Sequence, residues 1–185
     1  NSWEAAYFDF DTDKLVSFAE RAKEAGMDML VMDDGWFGVR NSDNCSLGDW
    51  YVNEEKLPGG LDPLIERVNA LGLKFGIWYE PEMISRDSNL YRAHPDWVMR
   101  DANRDVLLSR NQLVLDMANP EVVEYIKQSL DRCFDGIEID YFKWDMNRNI
   151  THAISPYLPK ERKGETQFRY MLGVYELYDW FVKRF

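Results

Sequence analysis

A lysine and an aspartate two residues apart, Lys143 and Asp145, sit in the run Lys143-Trp144-Asp145-Met146-Asn147-Arg148 at the end of an aromatic, β-branched stretch. On a strand, residues i and i+2 share a face, so the ammonium lies beside the carboxylate and favours its ionised form. An ionised aspartate can act as a nucleophile in glycosyl transfer, which asks for a low pKa on the attacking carboxylate and a raised one on its partner acid. The same spacing also describes an ordinary strand-end ion pair.

Other acids fall at comparable places: Asp9, Asp33, Asp34, Glu80 and Asp116 each close a short apolar run, with Trp36, Trp78, Asn147 and Arg148 beside them and Arg110 just before the fourth run. A ring of carboxylates, a few cations and several indoles suits a polyhydroxylated ligand, because each carboxylate accepts from hydroxyls and flat sugar faces stack on Trp. Two local readings stay open. Asp33 and Asp34, with Gly35 free to take positive φ, are either paired hydroxyl acceptors or a pair of which Asp34 caps the next segment. Trp78 either walls a pocket or packs in the core. Neither histidine, His94 or His152, stands with a Ser or Cys in a nucleophilic arrangement, and His94 beside Pro95 reads as a loop hydrogen-bonding residue.

The elements that must position these residues alternate. Runs at Ala5 to Asp9, Met29 to Asp33, Leu73 to Glu80, Leu113 to Asp116 and Ile137 to Asp145 read as strands. Helices are expected over Asp13 to Ala25, Asp62 to Leu71, Pro120 to Phe134 and Glu165 to Phe185, with Gly26, Gly72 and Gly136 marking three of the ends. Strand-helix alternation predicts an α/β fold with a parallel sheet. No Gly-rich turn follows the first run, which argues against a dinucleotide fold, whereas acids at successive strand ends fit a (β/α)8 TIM barrel. The expectation is an incomplete barrel of about the first five βα units spanning residues 1–185.

The 185 residues carry 33 Asp and Glu against 22 Lys and Arg, a net charge of −11. That balance disfavours nucleic acid as a partner, and the longest apolar run is far short of the roughly 20 residues that span a bilayer. Cys45 and Cys133 lack metal-type spacing and read as inert thiols in a reducing, cytoplasmic setting. Asn rather than Met at position 1, with no leader, reads as an internal piece or processed product.

Six motifs in register resemble the catalytic domain of glycoside hydrolase family 36 α-galactosidases: Asp33-Asp34-Gly35-Trp36-Phe37-Gly38, Leu47-Gly48-Asp49-Trp50, Lys74 to Trp78 with Glu80-Pro81-Glu82-Met83, His94-Pro95-Asp96-Trp97, Arg110 to Asp116, and Lys143 to Arg148. The resemblance implies a retaining enzyme, related to raffinose and stachyose synthases, that hydrolyses terminal non-reducing α-D-galactosyl groups of melibiose and raffinose-type oligosaccharides. It implies Asp145 as nucleophile and Lys143 as the residue that holds ring hydroxyls and keeps Asp145 ionised. Asp33 and Asp34 would accept from the hydroxyls at carbons four and six, and Trp78, Arg110 and Asn147 would complete the substrate pocket. Trp3 matches a tryptophan near the pocket entrance.

No cofactor and no metal are implied. The family's general acid/base is an Asp on the strand after the nucleophile's, and nothing after Arg148 resembles its surroundings. The chain is therefore expected to lack that acid and to be inactive alone, while the parent is expected to be a homo-oligomer. Two other classes compete: a metal-dependent barrel enzyme, disfavoured by a lysine among the acids, and a non-catalytic galactoside-binding fragment.

Overall fold

The computed structural model describes residues 1–185. Its centre is a parallel three-stranded sheet in the order β1-β2-β5, formed by β1 (Met29–Met32), β2 (Lys74–Tyr79) and β5 (Tyr141–Trp144). Val31 lies abreast of Gly76, and Gly76 in turn of Tyr141. A side chain at position 76 would press on the Val31 side chain and the Tyr141 backbone, so glycine there lets the strands keep this register.

Helices supply the crossovers, and three of the four long ones carry the punctuation that the sequence advertises. Helix α2 (Thr12–Glu24) is capped by Asp11, whose carboxylate accepts from the Lys14 N–H. Helix α3 (Asp62–Ala70) has Pro63 in its first turn, the short α4 (Asn89–Ala93) is capped by the Ser88 side chain, and α5 (Pro120–Phe134) is capped by the Asn119 side chain. Helix α6 (Thr166–Arg184) packs on α5, as α2 does on α3. None of the helices is long and apolar enough to cross a membrane.

Two of the five expected strands do not join the sheet, so the chain has three parallel βα units rather than five. The run Ala5 to Asp9 is not extended: Trp3–Ala6 forms one helical turn, α1, which Tyr7 ends at φ 48°. The residue beside β1 is instead Ser2, whose N–H donates to the Val31 carbonyl. The run Leu113 to Asp116 contributes to β4 (Gln112–Val114), which pairs antiparallel with β3 (Met83–Ser85) outside the parallel sheet. Ahead of β4, Ser109 and Gln112 exchange backbone hydrogen bonds around Arg110 and Asn111, both at positive φ, as in a two-residue hairpin turn. With β3 as its partner, β4 adds no strand to the parallel sheet.

Forty buried apolar residues form one contiguous cluster, so the chain has a single core. Both cysteines are free. Cys133 is buried, its thiol pushed up to about 12 by desolvation and donating to the Trp50 carbonyl, whereas Cys45 is only half-buried. On helix α6, Gly173 lies against the Met117 backbone, where a Cβ would overlap the Met117 carbonyl oxygen. A contact that short on rigid backbone forces the helix outward. Gly173→Ala is therefore expected to destabilise the fold by about 1–3 kcal/mol, seen as a lower urea midpoint; an unchanged midpoint would contradict this packing.

Candidate active site

The register of the sheet brings the central residues together. Met32 lies abreast of Ile77 and Trp78 abreast of Lys143, so one step past β1 sets Asp33, Trp78 and Lys143 in a row at the carboxyl ends of three adjacent strands. Lys143 Nζ donates to Asp33 Oδ2 at 3.0 Å and stands 3.9 Å from Asp145 Oδ2, holding with its own charge the place between two acids that a cation would take. Asn1 also donates to Asp33.

Asp145 continues β5 by one residue, its N–H donating to the Tyr79 carbonyl. Its Oδ2 accepts from Trp78 Nε1 at 2.8 Å and from Asn147 Nδ2 at 2.9 Å, and its Oδ1 accepts from the Met146 N–H. Partial burial pushes this carboxyl up, but the three donors and the nearby Lys143 outweigh it and hold the pKa below the usual carboxylate value of 3.8. Trp78 is 2% exposed and lies face to face with Phe37, so it packs in the core and aims its N–H into the site at once. Trp36 is wholly buried and braces it, donating to the Trp78 carbonyl at 2.8 Å.

Asp34 caps no helix. Both of its oxygens accept from Arg40, at 3.0 Å from Nε and 2.8 Å from Nη2, and Arg40 itself is buried. Burial raises the Asp34 pKa against the pull of this guanidinium. Below the turn, Lys56 Nζ donates to the carbonyls of Phe8, Gly35 and Arg40, which ties the Asp34 loop to the segment after α1.

The hairpin turn before β4 delivers Arg110, whose Nη1 donates to Asn147 Oδ1 at 2.8 Å. One amide thus joins Arg110 to Asp145. Beneath it lies Glu80, with no exposed surface, accepting from the Asn147 N–H and, at 3.1 Å, from Gln112 Nε2. Desolvation pushes the Glu80 carboxyl up to about 7, against its hydrogen bonds to Asn147 and with the repulsion of Asp145 and Asp34.

All seven residues expected to carry the site, Asp33, Asp34, Trp78, Arg110, Lys143, Asp145 and Asn147, fall in this one region. Two further strand-end acids do not. Asp9 is exposed and paired with Lys14, and Asp116 is buried against Ser155. Arg148 is tied to the Leu107 and Gln112 carbonyls, and His94 stacks flat on Trp97 at 3.8 Å instead of hydrogen-bonding through its ring. Trp3 meets Tyr7 and Phe8 edge-on. Arg40 and Gln112 went unforeseen. An arginine six residues past an acidic pair was the one available signal for the first; Gln112 and Glu80 meet across 32 residues with no local signal.

A model of the melibiase family matches residues 1–185. The α-galactosidase AgaA of Geobacillus stearothermophilus is 51% identical over the whole chain, which covers 25% of that relative. The crystal structure of the family GH36 α-galactosidase AgaB from the same organism superposes with a TM-score of 0.96 at 51% identity, covering 100% of this chain and 26% of that one. A variant of AgaA in complex with raffinose superposes with a TM-score of 0.95 over 99% of this chain and 26% of its own. The chain thus spans about a quarter of the length of these relatives. Since the family model reaches every residue, including all those gathered around Asp145, the chain belongs to the melibiase family.

Proposed function

We propose that these residues form the nucleophile-bearing part of a (β/α)8 barrel in an α-galactosidase that cleaves terminal α-D-galactosyl groups from melibiose and raffinose-type sugars with retention of configuration. The observation that carries this reading is the Asp145 carboxylate, kept ionised by three donors beside a lysine in a family of α-galactosidases. Asp145 attacks the anomeric carbon and expels the aglycone oxygen; the galactosyl-enzyme ester is then hydrolysed by water. Oδ1, with a single donor, is the freer oxygen for attack. Lys143 takes ring hydroxyls, and Asp33 and Asp34, the latter fixed by Arg40, offer their remaining lone pairs to the hydroxyls at carbons four and six. Trp78, Arg110 and Asn147 line the galactosyl site. The raffinose complex of the AgaA variant supports a raffinose-type substrate.

Retention by this route needs an acid about 5–5.5 Å from the nucleophile to protonate the leaving oxygen. Glu80 has the raised pKa of such an acid, yet it is wholly buried with both oxygens engaged, so no leaving group reaches it. We place the acid/base outside these 185 residues, on a strand beside the free edge of β5, and read the parent as a homo-oligomer. The two unpaired thiols fit a cytoplasmic setting.

Two outcomes follow. In the natural full-length protein, an activated 2-deoxy-2-fluorogalactoside is expected to label Asp145, found by peptide mapping, and Asp145→Asn to lower kcat by about 10⁴-fold or more; a label elsewhere would refute the assignment. The 185 residues by themselves are expected to give no measurable raffinose turnover, since loss of an acid/base alone costs about 10²–10⁴-fold. Turnover by a contamination-free preparation would place an acid within this chain.

A further inference from the structure

Past the end of β5 the N–H groups of Asp145, Met146 and Asn147 are still satisfied, each by a different partner. In a parallel ladder alternate N–H groups point to the same neighbour. The Asp145 N–H takes the Tyr79 carbonyl of β2, and the next one facing that way, on Asn147, takes the Glu80 carboxyl because Pro81 turns the chain aside. Glu80 thus extends β2 in side-chain form by one rung. Its second oxygen accepts from Gln112 Nε2 at 3.1 Å, which links the rung to β4 and the hairpin that carries Arg110.

What this rung fixes is Asn147. The Asn147 side chain accepts from Arg110 at 2.8 Å and donates to Asp145 at 2.9 Å, so both contacts depend on where its main chain is held. We propose that Glu80 is a positioning residue for Asp145: by clamping the Asn147 main chain it keeps the Asn147 amide on the Asp145 carboxylate. The proposal rests on Asp145 being the nucleophile. The charged groups around the pair are Asp34, Lys143 and Arg110, and burial with a raised pKa leaves Glu80 uncharged over much of the acid range, so its part is that of a hydrogen-bond acceptor rather than of a charge.

The test uses the natural full-length protein. Glu80→Met keeps the bulk and removes the acceptors, and Gln112→Met frees the second oxygen of Glu80. Glu80→Gln keeps a carbonyl for the Asn147 N–H and turns an amide towards Gln112, whose Oε1 is buried without a partner. Glu80→Met is expected to lower kcat/KM by about 10²-fold, mainly through kcat, and to move the acid limb of kcat/KM to higher pH as Asp145 loses the Asn147 donor. Gln112→Met should move the limb the same way by less, and Glu80→Gln should keep the wild-type limb. If Glu80→Met does not fold, Gln112→Met against Glu80→Gln carries the comparison. Peptide mapping of the fluorosugar adduct accompanies each variant. A label away from Asp145 overturns the nucleophile assignment and this proposal with it, whereas a label on Asp145 with an unmoved acid limb in the Met variants overturns the positioning role alone.

Discussion

A carboxylate that must stay ionised in a half-buried place among other acids needs donors that no rearrangement can withdraw, and Asp145 draws one of its three, the Trp78 indole, from the sheet itself. Trp78 is abreast of Lys143 on the neighbouring strand, so the indole N–H that reaches Asp145 is set by strand register rather than by a loop. The same register places Lys143 beside Asp33. Slipping β5 by one residue would turn Lys143 and Asp145 to the opposite face, where Tyr79, Trp144 and Phe181 pack together.

The acids around Asp145 are neutralised by different means, and this division keeps them from competing for its donors. Asp33 takes Lys143, Asp34 takes the buried Arg40 in a two-pronged pair, and Glu80 is pushed by desolvation towards its protonated form. A buried ion pair such as Asp34 with Arg40 adds little net stability once its desolvation is counted, but it gives a charged group a single orientation. Lys56 adds to that fixity from below, by binding three carbonyls around the Asp34 turn.

The sequence made the parallel strands legible, since Met29–Met32, Lys74–Tyr79 and Tyr141–Trp144 are apolar runs set between well-capped helices. The seven residues singled out from the sequence lie in one region because Asp33, Trp78 and Lys143 fall abreast on adjacent strands and Arg110 reaches Asp145 through Asn147. Nothing local marks β4 as lying outside the parallel sheet: its partner β3 is a three-residue strand, and the positive-φ turn ahead of it, normally announced by Asn-Gly, is occupied by Arg110 and Asn111 without a glycine. The turn at Trp3–Ala6 was hidden in the same way by a run of strand-forming aromatics that follows it. Glu80 was visible as a strand-end acid, but its role was not, since its partner Asn147 lies 67 residues away and the pairing exists only once β2 and β5 are adjacent.

The claim on which the rest turns is that Asp145 is held ionised by Trp78, Asn147 and Met146. It is tested most directly by the pKa of Asp145 in the unliganded natural protein, read by carbon-13 NMR of labelled aspartate and assigned with Asp145→Asn. The expected result is a pKa below the ordinary 3.8, rising when Trp78→Phe removes the indole donor. A value at or above 3.8, or one that Trp78→Phe leaves in place, would contradict it.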